Sequence, residues 1–190
     1  MQEAVPAGVG AMAALVKLPA GQLQNILAEA AQGEVVSAAN LNSPDQIVIA
    51  GNAGAVARAM DLAKAAGARA LPLPVSAPFH CPLMGPAQER LRADLDATTF
   101  RDLSVPLINN WQAREVRGAE EAREGLFHQV PNPVRWNESI SLLASLGVTR
   151  FVEVGAGAVL TGLLRRVDPA LSGVKFGDAS DWQKVAAISA

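Results

Sequence analysis

The chain has 190 residues, 50% of them hydrophobic and 18% charged, with a net charge of −2. This composition is globular rather than disordered, and it lacks the basic footprint that a nucleic-acid groove requires. Its single cysteine, Cys81, excludes an internal disulfide and suits a reducing cytoplasm, and its apolar runs are too short to span a bilayer.

Residues 10–18 are small and apolar and end at Pro19, which predicts a strand. A helix is predicted over 20–32, with Leu23, Ile26, Leu27 and Ala30 at helical spacing and Gly33 closing it. Residues 35–41 and 46–50 are β-rich and flank Asn42-Ser43-Pro44-Asp45, which predicts a hairpin. Asn52 is placed to cap a helix with a stripe of Val56, Met60 and Ala63 that ends near Gly67. Residues 70–75 predict a further strand. The order βαββαβ is that of a ferredoxin-like unit, expected to occupy residues 8–76 as a small subdomain.

The character changes from residue 77. Pro86 fits the first turn of a helix that carries Leu91 and Leu95. Residues 105–109 predict a strand, 119–127 a helix, and 134–146 a longer helix with Ile140, Leu143 and Leu146 on one face. A short strand over 151–154 and a helix over 159–167 follow. Alternating strands and helices predict a parallel sheet with helices on its faces, giving an α/β fold class. Only two or three strands of such a sheet are expected in residues 77–190. That subdomain is therefore expected to be incomplete, with unpaired edges that leave it loose, oligomeric or aggregation-prone.

Chemistry concentrates in Ser76-Ala77-Pro78-Phe79-His80-Cys81-Pro82, a histidine on a proline-braced loop between a strand and a helix. A histidine so placed is either a general base, kept neutral by the positive end of the following helix, or a loop histidine that hydrogen-bonds a carbonyl. None of the ten serines stands in a Gly-x-Ser-x-Gly elbow, so the chain offers a base without an evident nucleophile. His128 falls at a predicted helix end and reads as structural. The prolines of Gln129-Val130-Pro131-Asn132-Pro133 make an extended corner, either a rigid connector or a source of free carbonyls. The glycines of Gly155-Ala156-Gly157 do not fit a dinucleotide or P-loop pattern and predict a tight turn, and Arg165-Arg166 reads as a solvated helix end. No Cys/His cluster has metal-ligand spacing, and the first residues lack the basic start of a signal peptide.

Five segments taken in order resemble the malonyl-CoA:acyl carrier protein transacylase family. They are Met1 to Pro6 with Gly10 to Ala14; Asn40 to Pro44 with Gln46 to Gly51; Leu71 to Cys81; Asn132 to Trp136; and Glu153 to Gly155 with Val159 to Leu163. The resemblance implies a ferredoxin-like subdomain inserted into an α/β-hydrolase-like one, the latter represented by residues 77–190. It implies that His80 is the catalytic histidine, that the backbone carbonyl of Gln129 holds its ring, and that Phe79 belongs to the pattern of malonyl-selective members. The implied partners are malonyl-CoA and acyl carrier protein, with the coenzyme A thioester as substrate and no further cofactor.

The family's Gly-His-Ser-Leu-Gly elbow, its glutamine-rich oxyanion loop and its malonyl-pairing arginine precede the segment where this chain begins. The chain is therefore expected to correspond to the C-terminal part of the family's chain, and to be inactive in transfer by itself. Two rival expectations are a non-catalytic module that binds the carrier protein or a pantetheine arm, and a structural remnant.

Overall fold

The computed structural model describes residues 1–189 and shows a mixed α/β chain. Its first part runs β1 (Gly10–Val16), α1 (Gln22–Ala31), β2 (Val36–Ser43), β3 (Gln46–Asn52), α2 (Ala53–Ala65) and β4 (Arg69–Pro72). The four strands form one antiparallel sheet in the order β2-β3-β1-β4.

β1 is buried on both faces, and the period of two decides what each residue meets. Ala13 and Leu15 pack with Ile26 and Leu27 of α1, Ile49 of β3 and Val56 of α2. Met12 and Ala14 face the other way, with Ala39, Val48 and Cys81 buried beside them and Phe79 and Leu83 against that cluster. Fully burying a side chain such as Leu15 or Ile49 contributes about 1.5–3 kcal/mol. One face of the sheet is thus covered by two helices and the other by the loop that carries His80.

The second part contains α3 (Gly85–Ala97), β5 (Leu107–Ile108), β6 (Glu115–Val116), α4 (Ala119–Gln129), α5 (Trp136–Ser145), β7 (Arg150–Val154), α6 (Val159–Val167), β8 (Ser172–Phe176) and α7 (Trp182–Ser189). β7 and β8 pair in parallel, and α5 and α6 pack there through Ile140, Leu164 and Leu171, with Phe151 and Trp136 beside them. The two parts meet at β2. Val134 donates its amide to the Ala39 carbonyl and accepts from the Leu41 amide, both at 2.8 Å, which extends the sheet by one residue beyond its edge strand.

Several elements differ from the sequence reading, each for a local reason. Asn52 stands before α2, but its side chain does not cap that helix. Its Oδ1 accepts the Val35 amide at 2.8 Å while its own amide donates to the Val35 carbonyl, so Asn52 ties β3 to the start of β2. β4 stops at Pro72 rather than residue 75, since Pro72 and Pro74 have no amide to pair. The segment over 105–109 does not join a parallel sheet. Only Leu107–Ile108 is a strand, and it pairs antiparallel with Glu115–Val116. α5 begins at Trp136 rather than 134 because Val134 is drawn into the β2 edge. β8 and α7 were not anticipated; Gly173 and Lys175 break the apolar pattern of β8.

Candidate active site

The loop over 76–84 is built for contact with the sheet. A Cβ placed on Gly10 would stand 2.4 Å from the Pro78 ring, so that ring approaches β1 only because residue 10 is glycine. Cys81 is fully buried, and its thiol donates to the Pro78 carbonyl at 3.1 Å. Burial pushes the Cys81 thiol above its ordinary pKa, with the Leu83 amide opposing. This sulfur is a packing group rather than a thiolate nucleophile. Phe79 is half-buried between the sheet and a second cluster of Val5, Ala77, Met84, Ala87 and Val130.

His80 lies between these anchored neighbours with a backbone φ of +58°, the left-handed region that an L-residue enters at a cost. That turn lets residues on either side of it face the core while His80 itself is only half-buried. Its Nδ1 is 3.1 Å from the backbone carbonyl oxygen of Gln129. A carbonyl can only accept, so Nδ1 carries the proton and Nε2 of the neutral ring keeps its lone pair. Among the described residues no serine, threonine or cysteine side chain bonds Nε2 of His80.

The carbonyl is available for a physical reason. Gln129 is the last residue of α4, and Pro133, four residues on, has no amide to give its carbonyl a helical partner; the carbonyl takes only a long bond from the Asn132 amide at 3.4 Å and keeps a lone pair for His80. Its side chain holds the corner in place. Nε2 donates to the carbonyls of Asn132 at 2.9 Å and Pro133 at 3.3 Å, and Asn132 Nδ2 donates to the His128 carbonyl at 2.7 Å. This brace by Asn132 went unread in the sequence; an asparagine just past a helix end was its signal.

The remaining motifs lie apart from His80. His128 stacks on Trp111 with ring centroids 4.3 Å apart and lies 3.5 Å from the Glu124 carboxylate. The turn at Gly155 and Gly157 has positive φ at both glycines and leads into α6, whose first amides are occupied. Glu153 accepts from the amides of Leu160 at 3.1 Å and Thr161 at 2.7 Å and from the Thr161 hydroxyl at 2.7 Å. Burial raises the Glu153 pKa, but these bonds outweigh it and leave the carboxyl below its usual range. A carboxylate of the chain itself thus fills the place where a phosphate loop would take its ligand.

A groove of about 490 Å³ opens beside the His80 loop, between α1 and the Val36–Ala38 stretch of β2 on one side and Pro82, Pro131, Asn132 and Pro133 on the other. The Ser37 hydroxyl lines it, buried and without a hydrogen-bond partner. Among the described residues no group of three His, Cys, Asp or Glu could hold a metal ion, and no helix is long and apolar enough to cross a membrane.

The sequence pattern of the acyl transferase domain family matches residues 1–181. The chain is 46% identical over 181 residues to the malonyl CoA-acyl carrier protein transacylase of Escherichia coli K12, covering 95% of this chain and 59% of that protein. It is also 46% identical over 180 residues to the protein of the same name from Bacillus subtilis, of which it covers 57%. Among solved structures it resembles an acyl carrier protein S-malonyltransferase from Vibrio cholerae, with TM-score 0.94 and 45% identity over 97% of this chain and 61% of that one. A malonyl-transacylase solved in complex with its type II PKS acyl-carrier protein matches with TM-score 0.92 and 43% identity, covering 99% of this chain and 60% of that one. The chain thus spans about three fifths of the length of these relatives.

Proposed function

The chain belongs to the acyl transferase domain family, and from that premise we propose that it contributes the general base and the small subdomain of a malonyl-CoA:acyl carrier protein transacylase of fatty-acid synthesis. The observation that carries this reading is the bond between His80 Nδ1 and the Gln129 carbonyl at 3.1 Å, made in a chain that matches the family over 1–181. In this reading Gly10–Pro72 is the core of a ferredoxin-like subdomain occupying 8–76. Residues 77–190 are part of an α/β-hydrolase-like subdomain, and Phe79 borders the acyl group.

His80 acts at Nε2. It accepts the proton of a serine hydroxyl as that oxygen attacks the malonyl thioester carbonyl, and returns it to the sulfur of coenzyme A as the C–S bond breaks. In the second half it takes the proton of the carrier's pantetheine thiol, whose sulfur attacks the ester, and hands it back to the departing serine oxygen. Nδ1 stays bonded to Gln129 throughout, so imidazolium forms in one orientation and its charge faces a carbonyl dipole. The 190 residues hold no Gly-x-Ser-x-Gly. We propose that this polypeptide transfers malonyl only together with a serine-bearing polypeptide.

The test is a malonyl-transfer assay with the chain alone, with a separately made segment bearing the serine elbow, and with the two mixed. Activity on mixing, lost in His80→Ala, supports the reading. Transfer by the chain alone refutes the requirement for a second polypeptide. No transfer in any arm, beside an active full-length relative, leaves the chain a binding module or a structural remnant.

A further inference from the structure

The hydrogen bonds at the end of α4 leave the helical register. In a continuing α-helix the His128 carbonyl accepts the amide four residues on, that of Asn132. Here the Asn132 amide turns to the Gln129 carbonyl instead, at 3.4 Å, and Nδ2 of the same asparagine donates to the His128 carbonyl at 2.7 Å. The side chain thus stands in for its own backbone amide. Asn132 also engages its third polar group, for its carbonyl accepts from Gln129 Nε2 at 2.9 Å. One half-buried residue therefore fixes two consecutive carbonyls at the end of α4, and the second of them is the one that faces His80 Nδ1.

A donor is needed at residue 132 because the corner is made of carbonyls. Pro131 and Pro133 bring no amide, while the oxygens of His128, Gln129, Asn132 and Pro133 all accept bonds. The Gln129 side chain serves two of these oxygens, and its own Oε1 stays buried without a partner. Without Asn132 Nδ2, the donor that the helix offers the His128 carbonyl is the Asn132 amide in its ordinary register. Recapture of that amide takes it from Gln129 and turns the peptide whose carbonyl meets the imidazole. Further on, Val134 is held in the edge of β2 by Ala39 and Leu41, so the adjustment falls within residues 129–133.

We propose that Asn132 is a positioning residue that selects the Nδ1–H tautomer of His80, by setting the register at the end of α4 and so aiming the Gln129 carbonyl. A neutral imidazole can carry its proton on either nitrogen, and the bond that the ring makes decides which. The purpose of this selection rests on the acyl-transfer reading above, since only the Nδ1–H form leaves Nε2 a lone pair with which to take a proton. The tautomer itself is measurable without any transfer. No side-chain change deletes the Gln129 oxygen; the loss of Asn132 Nδ2 lets it turn.

Nitrogen NMR of the isotopically labelled 190-residue chain tests this at a pH where imidazole is neutral, and His80→Gln, which removes one of its two histidines, assigns the signals. The parent is expected to hold His80 in the Nδ1–H form. Asn132→Ala removes the side-chain donor, and Asn132→Leu removes it while keeping a similar shape. Both are expected to lower the ratio of Nδ1–H to Nε2–H about fivefold or more, roughly what one hydrogen bond sustains. Thr98→Ala loses a 2.7 Å side-chain bond to the Asp94 carbonyl at the end of α3, and as the control it should leave the ratio unchanged. In the mixed transfer assay kcat should fall with the ratio while KM for malonyl-CoA holds. A parent in the Nε2–H form overturns the proposal. So does an unchanged ratio in either folded variant, an equal fall in the control, or loss of folding by both variants, which would make Asn132 a prop of the fold alone. A fallen ratio with transfer unaffected supports the positioning role and removes His80 as the base. If no arm of the assay transfers malonyl, the acyl-transfer reading fails and the ratio alone decides the proposal.

Discussion

His80 and Gln129 are 49 residues apart in sequence, yet the Nδ1 of one lies 3.1 Å from the backbone carbonyl of the other. The bond joins a loop packed on the antiparallel sheet to the end of α4, and it decides which ring nitrogen is free. Because the partner is a main-chain oxygen, no side-chain substitution at residue 129 removes it.

The left-handed φ of +58° at His80 gives the first prediction. His80→Gly relieves a strain of about 1 kcal/mol and loses one hydrogen bond worth about as much. Its stability in a urea melt is expected within about 1 kcal/mol of the parent. Transfer in the reconstituted assay is expected to fall by about 10²–10⁴-fold. A variant that loses stability heavily would show that the ring holds the loop, and a variant that keeps transfer would remove His80 as the base.

Gly10 is the second. A methyl group there meets the Pro78 ring at 2.4 Å, so the ring or β1 must shift. Gly10→Ala is expected to cost about 1–3 kcal/mol and to speed amide exchange over 77–81. Unchanged exchange there would show that the loop does not depend on its seat against β1.

The third concerns pH. Asp181 is 2% exposed, and the Lys184 ammonium and then the Gly177 amide hold its carboxyl down to about 2 against its burial, with Lys175 adding to them. A carboxyl depressed from about 3.9 in the unfolded chain stabilises the fold above that value and stops doing so as pH falls through about 2. Asp181→Asn should therefore lower the Tm at pH 7, and the gap to the parent should close by pH 2. A gap of equal size at both values would mean that the charge of Asp181 is not what holds β8 to α7.

A fourth follows from unequal packing. β1 pairs on both edges within a four-stranded sheet. β7 has only β8, and Val152 and Val154 on it are 40% and 76% exposed. Amides of β1 and β3 are expected to exchange several orders of magnitude more slowly than those of β7 and β8. Equal, slow exchange across both sheets in a monomer would sink this.

Legibility in the sequence followed the physics of each element. β1 and β3 were readable because continuous apolar runs mark strands buried on both faces, and α6 because its apolar stripe and its preceding glycines agree. β8 was not, since a glycine that must admit Leu164 at 2.7 Å from a would-be Cβ interrupts its pattern. The side-chain role of Asn52 was misread because capping is local, whereas its partner Val35 lies across the sheet. Residue types alone marked His80 as a possible base but could not locate Gln129, because a backbone carbonyl has no signature in sequence. Only the family resemblance pointed there.

The residues that steady His80 also form the joint between the two halves of the molecule. Gln129 grips the carbonyls of Asn132 and Pro133, and Val134 is laced into the edge of β2. The aim of the imidazole is therefore inherited from this joint: a substitution that unseats Val134 from the edge of β2 disturbs the ring of His80 as well, although it lies more than fifty residues away in the chain.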